Sequence, residues 1–453
     1  MIYLNDRFIG REDEINVLES AYMSHAFELV TVSGISGSGK TALIREFCRG
    51  RRAVLFTATR TNAHQNLSAF SKAVSKAMYK GLRSLVDFST LPEAFGFLRK
   101  LAEKERLIVA IDRYDDLIGC GPASERALRE MLAHDLRGSN MMVILSSSRP
   151  LDSIAEGQRD IVLGDLPFQD FRDAFYDSFD DHGLMMLYSL TGGRPEYVRY
   201  IDPAKTVEEN IDAICLHPDA PLFREPIQRF MSSVRNPDQY LCLLSALADG
   251  PLQLGEIVEW SGVTPSSACS TYLSTLSDLG LVERSAPYGE RTSRKGRYRI
   301  CDGALLFWMR FIHGNESLIE YRYGEDLYDL VISDEDGHLA LVFREVCVLF
   351  MHSNPAFFDI VPSRYGEWWG DEGHIDIVAS DLLATMFCDC RYRDSPVGKS
   401  VLDNLMAKSQ AIRTIGSRRY ALFSKSGFTK ELRDYAERNP GITLVSLRDI
   451  CRF

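Results

Sequence analysis

Hydrophobic and polar positions fall into blocks of two kinds along the chain. Residues 27–33 (FELVTVS) form a short apolar, β-branched run, a glycine-rich turn follows at once, and ALIREFC then continues with helical spacing. Leu107–Ile111 and Met141–Leu145 are two further runs without polar interruption. Such runs mark strands buried on both faces, as in a parallel sheet flanked by helices. Further along, Asn236-Pro237 places a capping residue and a proline at the start of a helix, DQYLCLLSALADG. A second short helix is expected from Leu254 to Trp260. Thr264-Pro265-Ser266 opens a third, with Leu273, Leu276 and Leu279 on one face. LVER and KGRYRI then flank a loop as two strand-like runs. Three short helices followed by a β-hairpin predict a winged helix-turn-helix. After Cys301-Asp302-Gly303, the aromatic run ALLFWMRFI predicts packing core, and the remaining residues alternate between helical and strand patterns. The polar stretch Asp202 to Pro221 reads as a linker, and no internal repeat or low-complexity tract is present.

With 453 residues, the chain has room for about three domains of ~150 residues. The pattern divides it into a P-loop core at 1–160, a helical lid and linker at 161–235, a winged helix at 236–302 and a last α/β domain at 303–453. Hydrophobic residues at 45% and charged residues at 25% exclude wholesale disorder. A net charge of −11 excludes a protein wrapped in nucleic acid over its whole surface, though not one with a local basic face. Ten cysteines are scattered from Cys48 to Cys451, with only Cys388 and Cys390 close together. Neither a zinc ribbon nor a disulfide framework is indicated, and reduced thiols in a cytoplasm are expected. The opening MIYLNDRFIGRED lacks the regions of a signal peptide, and no uncharged run approaches a membrane span.

The turn itself is Gly34-Ile35-Ser36-Gly37-Ser38-Gly39-Lys40-Thr41, a GxxxxGKT motif between strand and helix. Glycines let backbone N–H groups curl around phosphate oxygens, and the following helix aims its positive end at them. Lys40 is expected at the β- and γ-phosphates of ATP and the Thr41 hydroxyl on Mg²⁺. Leu107 to Asp112 is a buried strand delivering a carboxylate at its edge, so Asp112 is the second expected holder of Mg²⁺. Many ATPases of this class place a glutamate next, where it polarises the attacking water. Here the residue is Arg113, which cannot accept a proton. Asp115 and Asp116 are the substitutes within reach along the chain, so binding is better supported than hydrolysis. Ser146-Ser147-Ser148-Arg149 follow the Met141 run, where Ser147 or Ser148 could sense a γ-phosphate; ordinary turn chemistry before Pro150 is the alternative.

Phe8-Ile9-Gly10-Arg11-Glu12-Asp13-Glu14 resembles the FxGRExE entry of AAA+-related signalling ATPases, the STAND group, and Thr191-Gly192-Gly193-Arg194-Pro195 resembles the GGxP turn of their helical lid. The resemblance implies that Phe8 and Ile9 border the adenine and that Arg194 approaches the phosphates. From about Pro237 to Leu405 the chain resembles the bacterial and archaeal ATPases carrying the DUF234 domain, through PDQYLCLLSALADG, YLSTLSDLGLVER, GRYRICDGALLFWMRFI, EWWGDEGHIDIVA and DCRYRDSPVG. That domain in turn resembles the PD-(D/E)xK nuclease fold. The likeness implies a second Mg²⁺ site of Glu345, Asp376 and Asp389, with Arg391 where a lysine is usual. A guanidinium cannot be deprotonated as the lysine can, which leaves two alternatives, a nuclease with an altered site and a retired nuclease fold used for binding.

The third helix of the predicted winged helix has no Lys or Arg, so guanine reading by bidentate Arg is not available from it. The hairpin does carry bases. Arg284, Arg291, Arg294, Lys295, Arg297 and Arg299 form a basic wing suited to the phosphates of double-stranded DNA, with Arg291, Arg294, Lys295 and Arg297 the expected contacts and an interdomain spacer as the alternative. The C-terminal basic block, including Arg391 and Arg419, could face nucleic acid or a protein partner, or neutralise the acidic block before it. The expectation is an ATP·Mg²⁺-binding ATPase or switch that moves the winged helix and last domain, with an oligomer open. The alternatives are a non-hydrolysing protein-interaction scaffold and a nucleotide-gated Mg²⁺ nuclease.

Overall fold

The computed structural model describes residues 3–4, 7–79, 86–119, 121–231, 234–290, 295–321, 327–414 and 416–453. Two compact units are formed, one from Met1–Leu166 with Arg194–Arg199, the other from Pro167–Gly193 with Tyr200–Phe453. In the first, β1 (Tyr3–Leu4) and β2 (Arg7–Phe8) make a small antiparallel pair ahead of the main sheet. That sheet is built from β3 (Glu28–Ser33), β4 (Ala53–Thr57), β5 (Leu107–Asp112), β6 (Met141–Ser147) and β7 (Arg159–Val162). Its order is β4-β5-β6-β3-β7, and every pairing is parallel.

Why these runs are unbroken is visible in where alternate residues go. Leu107, Val109 and Ile111 of β5 join one core with Val143 and Leu145, while Ile108 and Ala110 join the opposite core with Met142 and Ile144. Both faces are covered by helices, so neither tolerates a polar side chain. The polar residues that end β3, β5 and β6 therefore collect at the carboxyl edge of the sheet. Register places Ser33 beside Ser147 and Ile111 beside Leu145, which brings Asp112 and Ser146 next to one another.

The second unit begins with helices Phe168–Phe175 and Asp181–Thr191. The segment expected as a linker contains the helix Val207–Cys215, closed by a capping box between Thr206 and Glu209 and burying Ile211 and Ile214. Its polar residues are the outward face of an amphipathic helix rather than a tether. Helices Pro237–Leu247, Leu254–Ser261 and Ser266–Asp278 accompany β8 (Leu252–Gln253), β9 (Val282–Ser285) and β10 (Arg297–Ile300), an antiparallel sheet of order β8-β10-β9. After a buried helical segment Gly303–Phe307 that widens into a π-turn at Trp308–Ile312, the helix Glu335–Ser353 leads to the last sheet. This comprises β11 (Arg364–Gly370), β12 (Gly373–Ser380), β13 (Ala384–Arg391), β14 (Ser417–Ser424) and β15 (Ile442–Ser446), in that order. The first three strands are antiparallel and the last three parallel. Ile375, Phe387, Leu422 and Ile442 form a core with Leu402, Leu405 and Leu432 from the flanking helices. Among the described residues no helix is long and apolar enough to cross a membrane.

His338 is fully buried with Phe307 and Phe311 edge-on at 5.4 and 5.1 Å, and neither ring nitrogen has a hydrogen-bond partner among the described residues. Burial, reinforced by the nearby Arg310 charge, lowers its pKa to about 3. An unfolded histidine titrates near its usual value, so the unfolded chain binds the extra proton between that value and 3. This stability is present above about pH 6.5 and is lost as pH falls, by about 1.4 kcal/mol per pH unit. In thermal melts between pH 7 and 4, wild type should therefore lose melting temperature relative to His338→Leu as the pH drops. Parallel curves would remove His338 from the acid response.

Candidate functional site

The loop between β3 and the helix Lys40–Cys48 is shaped by glycines at positive φ: Gly34 at 155°, Gly37 at 87° and Gly39 at 94°. At Gly34 a side chain also has nowhere to go, since a Cβ there would lie 2.4 Å from the Leu163 carbonyl oxygen; one on Gly37 would lie 2.4 Å from Glu196 Oε2, the end of a side chain that can turn aside. The Ser38 hydroxyl is buried inside the loop without a hydrogen-bond partner among the described residues. Lys40 folds over the loop, its Nζ donating to the carbonyls of Gly34 (2.6 Å) and Ile35 (2.9 Å). Burial lowers its pKa, while Asp112 and Asp115 favour the charged form.

Thr41 Oγ1 donates to Asp112 Oδ2 at 2.8 Å. The other oxygen of Asp112 accepts from the Arg113 N–H at 3.1 Å and from the Ser146 hydroxyl. A buried carboxylate is tolerable only with such donors. Arg113 adopts left-handed backbone (φ 60°), a strain of about 1 kcal/mol for a side-chain-bearing residue. Its guanidinium turns to Asp116 at 2.6 Å, and Arg60 Nε meets the same carboxylate at 2.9 Å. Asp115 points elsewhere, its Oδ2 accepting from the Ser148 hydroxyl at 2.7 Å and from the Ser148 N–H. These residues line a cleft of about 580 Å³.

The predicted residues are thus brought together unevenly. Lys40, Thr41, Asp112, Asp115, Asp116 and Ser147 share the cleft, although the Ser147 hydroxyl is engaged by the Arg149 carbonyl. Ile9 is buried, Phe8 packs against the core around Val30 and Leu43, and neither lines the cleft. Arg194 is buried beside Gly37, with its guanidinium on both oxygens of Asp165 at 3.2 and 3.3 Å. Arg11 was not singled out from the sequence. It pairs with Glu14 at 3.0 Å and donates to the carbonyls of Ser38 (3.3 Å) and Gly164, tying the entry motif to the loop. Ser146 was missed as well, since only strand register sets it beside Asp112. Glu196 and Arg199 carry no motif and reach the cleft through the fold.

The cradle fits a nucleotide. Its backbone is exposed where Cβ atoms are excluded, a cation covers the loop, and a hydroxyl and a carboxylate provide the hard oxygen donors suited to Mg²⁺.

The carboxylates expected at the second metal site have partners within the protein. Among the described residues no three His, Cys, Asp or Glu side chains are grouped so as to hold a metal ion. Glu345 is held by Arg299 and by Arg344 Nη2 at 2.7 Å. Burial would raise its pKa, but the two guanidiniums outweigh it and hold it low. Arg344 also meets Glu367 Oε2 at 3.0 Å, and His374 bridges Glu367 and Asp376, 3.3 Å from the latter. Asp376 takes the Cys390 N–H at 2.7 Å and is pushed up by burial and by Asp389. Arg391 closes on Asp389 as a two-point clamp, with Nη2 2.7 Å from Oδ2. Arginines therefore hold Glu345 and Asp389, while Asp376 is met by a backbone N–H and the His374 ring.

The hairpin is likewise engaged within its own unit. Arg297 lies over the Trp369 ring at 4.9 Å, and the Trp369 indole N–H donates to the Lys295 carbonyl at 2.9 Å. The Tyr288 N–H donates to the Glu367 carbonyl at 2.7 Å. Arg291 and Arg294 lie outside the described residues.

Comparison with known proteins places two domains on this framework. Residues 7–144 match the family model of the AAA ATPase domain, and residues 308–407 match DUF234, described as archaeal and bacterial proteins of unknown function. An uncharacterised protein of Methanocaldococcus jannaschii is 26% identical over 408 residues, covering 85% of this chain and 88% of that one. Among solved structures, the Walker-type ATPase PABY2304 of Pyrococcus abyssi is 17% identical, covers 67% of this chain and 96% of its own, and superposes with a TM-score of 0.49. ORC2 of Aeropyrum pernix is 12% identical over 71% of this chain and 96% of its own, with a TM-score of 0.45. The chain therefore carries an AAA ATPase domain in its first part and a DUF234 domain in its last.

Proposed function

We propose that this protein is an ATP·Mg²⁺-dependent switch that binds and hydrolyses ATP in the cleft of its first unit. The convergence of Lys40, Thr41 and Asp112 on one glycine-shaped loop carries the reading. Lys40 would exchange the Gly34 and Ile35 carbonyls for phosphate oxygens, and loop N–H groups would hold the phosphates. Thr41 and Asp112 would keep Mg²⁺ in place. Bound ATP·Mg²⁺ supplies the energy difference between two states of the chain, and a shift between them requires that the states bind it unequally.

Fluorescent ATP-analogue binding and steady-state hydrolysis test this. Lys40→Ala should weaken binding at least ~30-fold, the loss of about 2 kcal/mol expected for a charge-assisted phosphate contact. Undiminished hydrolysis in Lys40→Ala would overturn the assignment. Gly34→Ala should abolish binding, since the new Cβ meets backbone that cannot move aside.

The packing of Arg297 on Trp369 favours a second reading for the middle of the chain, in which the hairpin makes an intrachain contact rather than a DNA clamp. Trp369→Ala should lower stability by about 3–5 kcal/mol through lost ring burial and cation–π contact. Duplex-DNA binding that weakens steeply with salt, and weakens again in a Lys295→Ala variant, would restore the DNA-contacting wing.

A further inference from the structure

The residue after Asp112 cannot accept a proton, so some other group must orient the attacking water if ATP is hydrolysed. Asp115 and Asp116 are consecutive in the helix Tyr114–Ile118, so their side chains leave the axis about 100° apart and meet different surroundings. Asp116 meets two guanidiniums, Arg113 and Arg60, and its side chain is only 8% exposed. Its charge is compensated and its oxygens are held. Asp115 is turned to the end of β6, where the Ser148 N–H and hydroxyl both address one oxygen, Oδ2. Its Oδ1 has no hydrogen-bond partner among the described residues. The side chain lines the same cleft as Lys40, and its charge is felt by the Lys40 ammonium.

From this geometry we infer that Asp115 is the catalytic carboxylate of the ATPase reaction and that Ser148 is its positioning residue. The assignment rests on ATP occupying the cleft as proposed above. Ser148 fixes Oδ2 with two donors, which aims Oδ1 at a water in the cleft. As the water oxygen bonds to the γ-phosphorus, the bond from that phosphorus to the β,γ-bridging oxygen breaks and its electron pair leaves on ADP. Asp115 takes the proton that the water loses and then releases it to solvent, giving ADP and inorganic phosphate. Arg113 and Asp116 hold the helix rather than the water. The arginine that replaces the usual glutamate thus becomes a brace, and the carboxylate function moves two residues along the chain.

The experiment uses the full-length chain, with single-turnover hydrolysis of ATP measured beside fluorescent-analogue binding and thermal melts. Asp115→Asn should lower the rate ~100-fold while the analogue Kd stays within about threefold. Ser148→Ala should lower kcat ~10-fold with KM unchanged, and Ser148→Thr, which keeps the hydroxyl, should recover most of the loss. Asp116→Asn should chiefly lower the melting temperature. If Asp115→Asn fails to fold, Asp115→Glu serves instead, with a rate reduced by misplacement at unchanged affinity. A rate in folded Asp115→Asn above a third of wild type, or a larger rate loss in Asp116→Asn than in Asp115→Asn, overturns the assignment. Wild type that binds the analogue without turning ATP over overturns it while leaving nucleotide binding intact. Wild type that does not bind overturns both.

Discussion

A single buried carboxylate organises the first unit. Asp112 ends a strand whose preceding residues are fully apolar, so its charge sits at the border of a core and needs donors close at hand. It finds them on three elements: the Thr41 hydroxyl at the start of the P-loop helix, the Ser146 hydroxyl on β6, and the Arg113 N–H on its own strand's continuation. Meeting this one demand fixes the helix against the sheet and sets β5 against β6. It also forces Arg113 into a left-handed turn that starts the next helix. The positions of Asp115 and Asp116 follow from that turn. The layout of the cleft's carboxylates is thereby inherited from the requirement to satisfy a desolvated charge.

The second unit solves the same problem with cations instead of hydroxyls. Glu283, Glu345 and Glu367 are tied together by Arg299 and Arg344, His374 continues the chain to Asp376, and Arg391 closes on Asp389. Such a network gains little net stability, because desolvation offsets much of the attraction. Its consequence is geometric. Arg299 belongs to the hairpin, Arg344 and Glu345 to a helix, and Glu367 to the last sheet, so the ion pairs hold three elements in one register. Trp369 and Tyr288 add contacts between the same hairpin and sheet. Basic residues that looked like a nucleic-acid surface in the sequence are in part the mortar of this assembly.

Local chemistry made much of this legible. The glycine pattern, the lysine and threonine after it, and the apolar strand ending in aspartate are fixed by short-range demands, so GSGKT and LIVAID could be placed without coordinates. Arg11, Ser146 and Ser148 were less visible. Each acts through a partner far away in sequence, Gly164, Asp112 and Asp115 in turn, and no spacing rule links them. The linker expected at 202–221 failed for a related reason. Its polar residues were read without the buried Ile211 and Ile214 that make them one face of a helix.

The sequence by itself determined that a glycine-rich GxxxxGKT loop follows the first core strand, that a carboxylate ends a neighbouring strand, and that arginine stands where a glutamate is usual. It also placed Glu345, Asp376 and Asp389 on a helix and two strands. Tertiary structure decided what those charges do. Whether a carboxylate is a ligand, a base or half of an ion pair depends on which counter-charge arrives within about 4 Å, and over that distance attraction competes with desolvation. Arg299 and Arg344 reach Glu345 only because the hairpin and helix pack together, and Arg60 reaches Asp116 only because a loop after β4 returns to the end of β5. Spacing along the chain encodes the groups; the packing that brings opposite charges together assigns their roles.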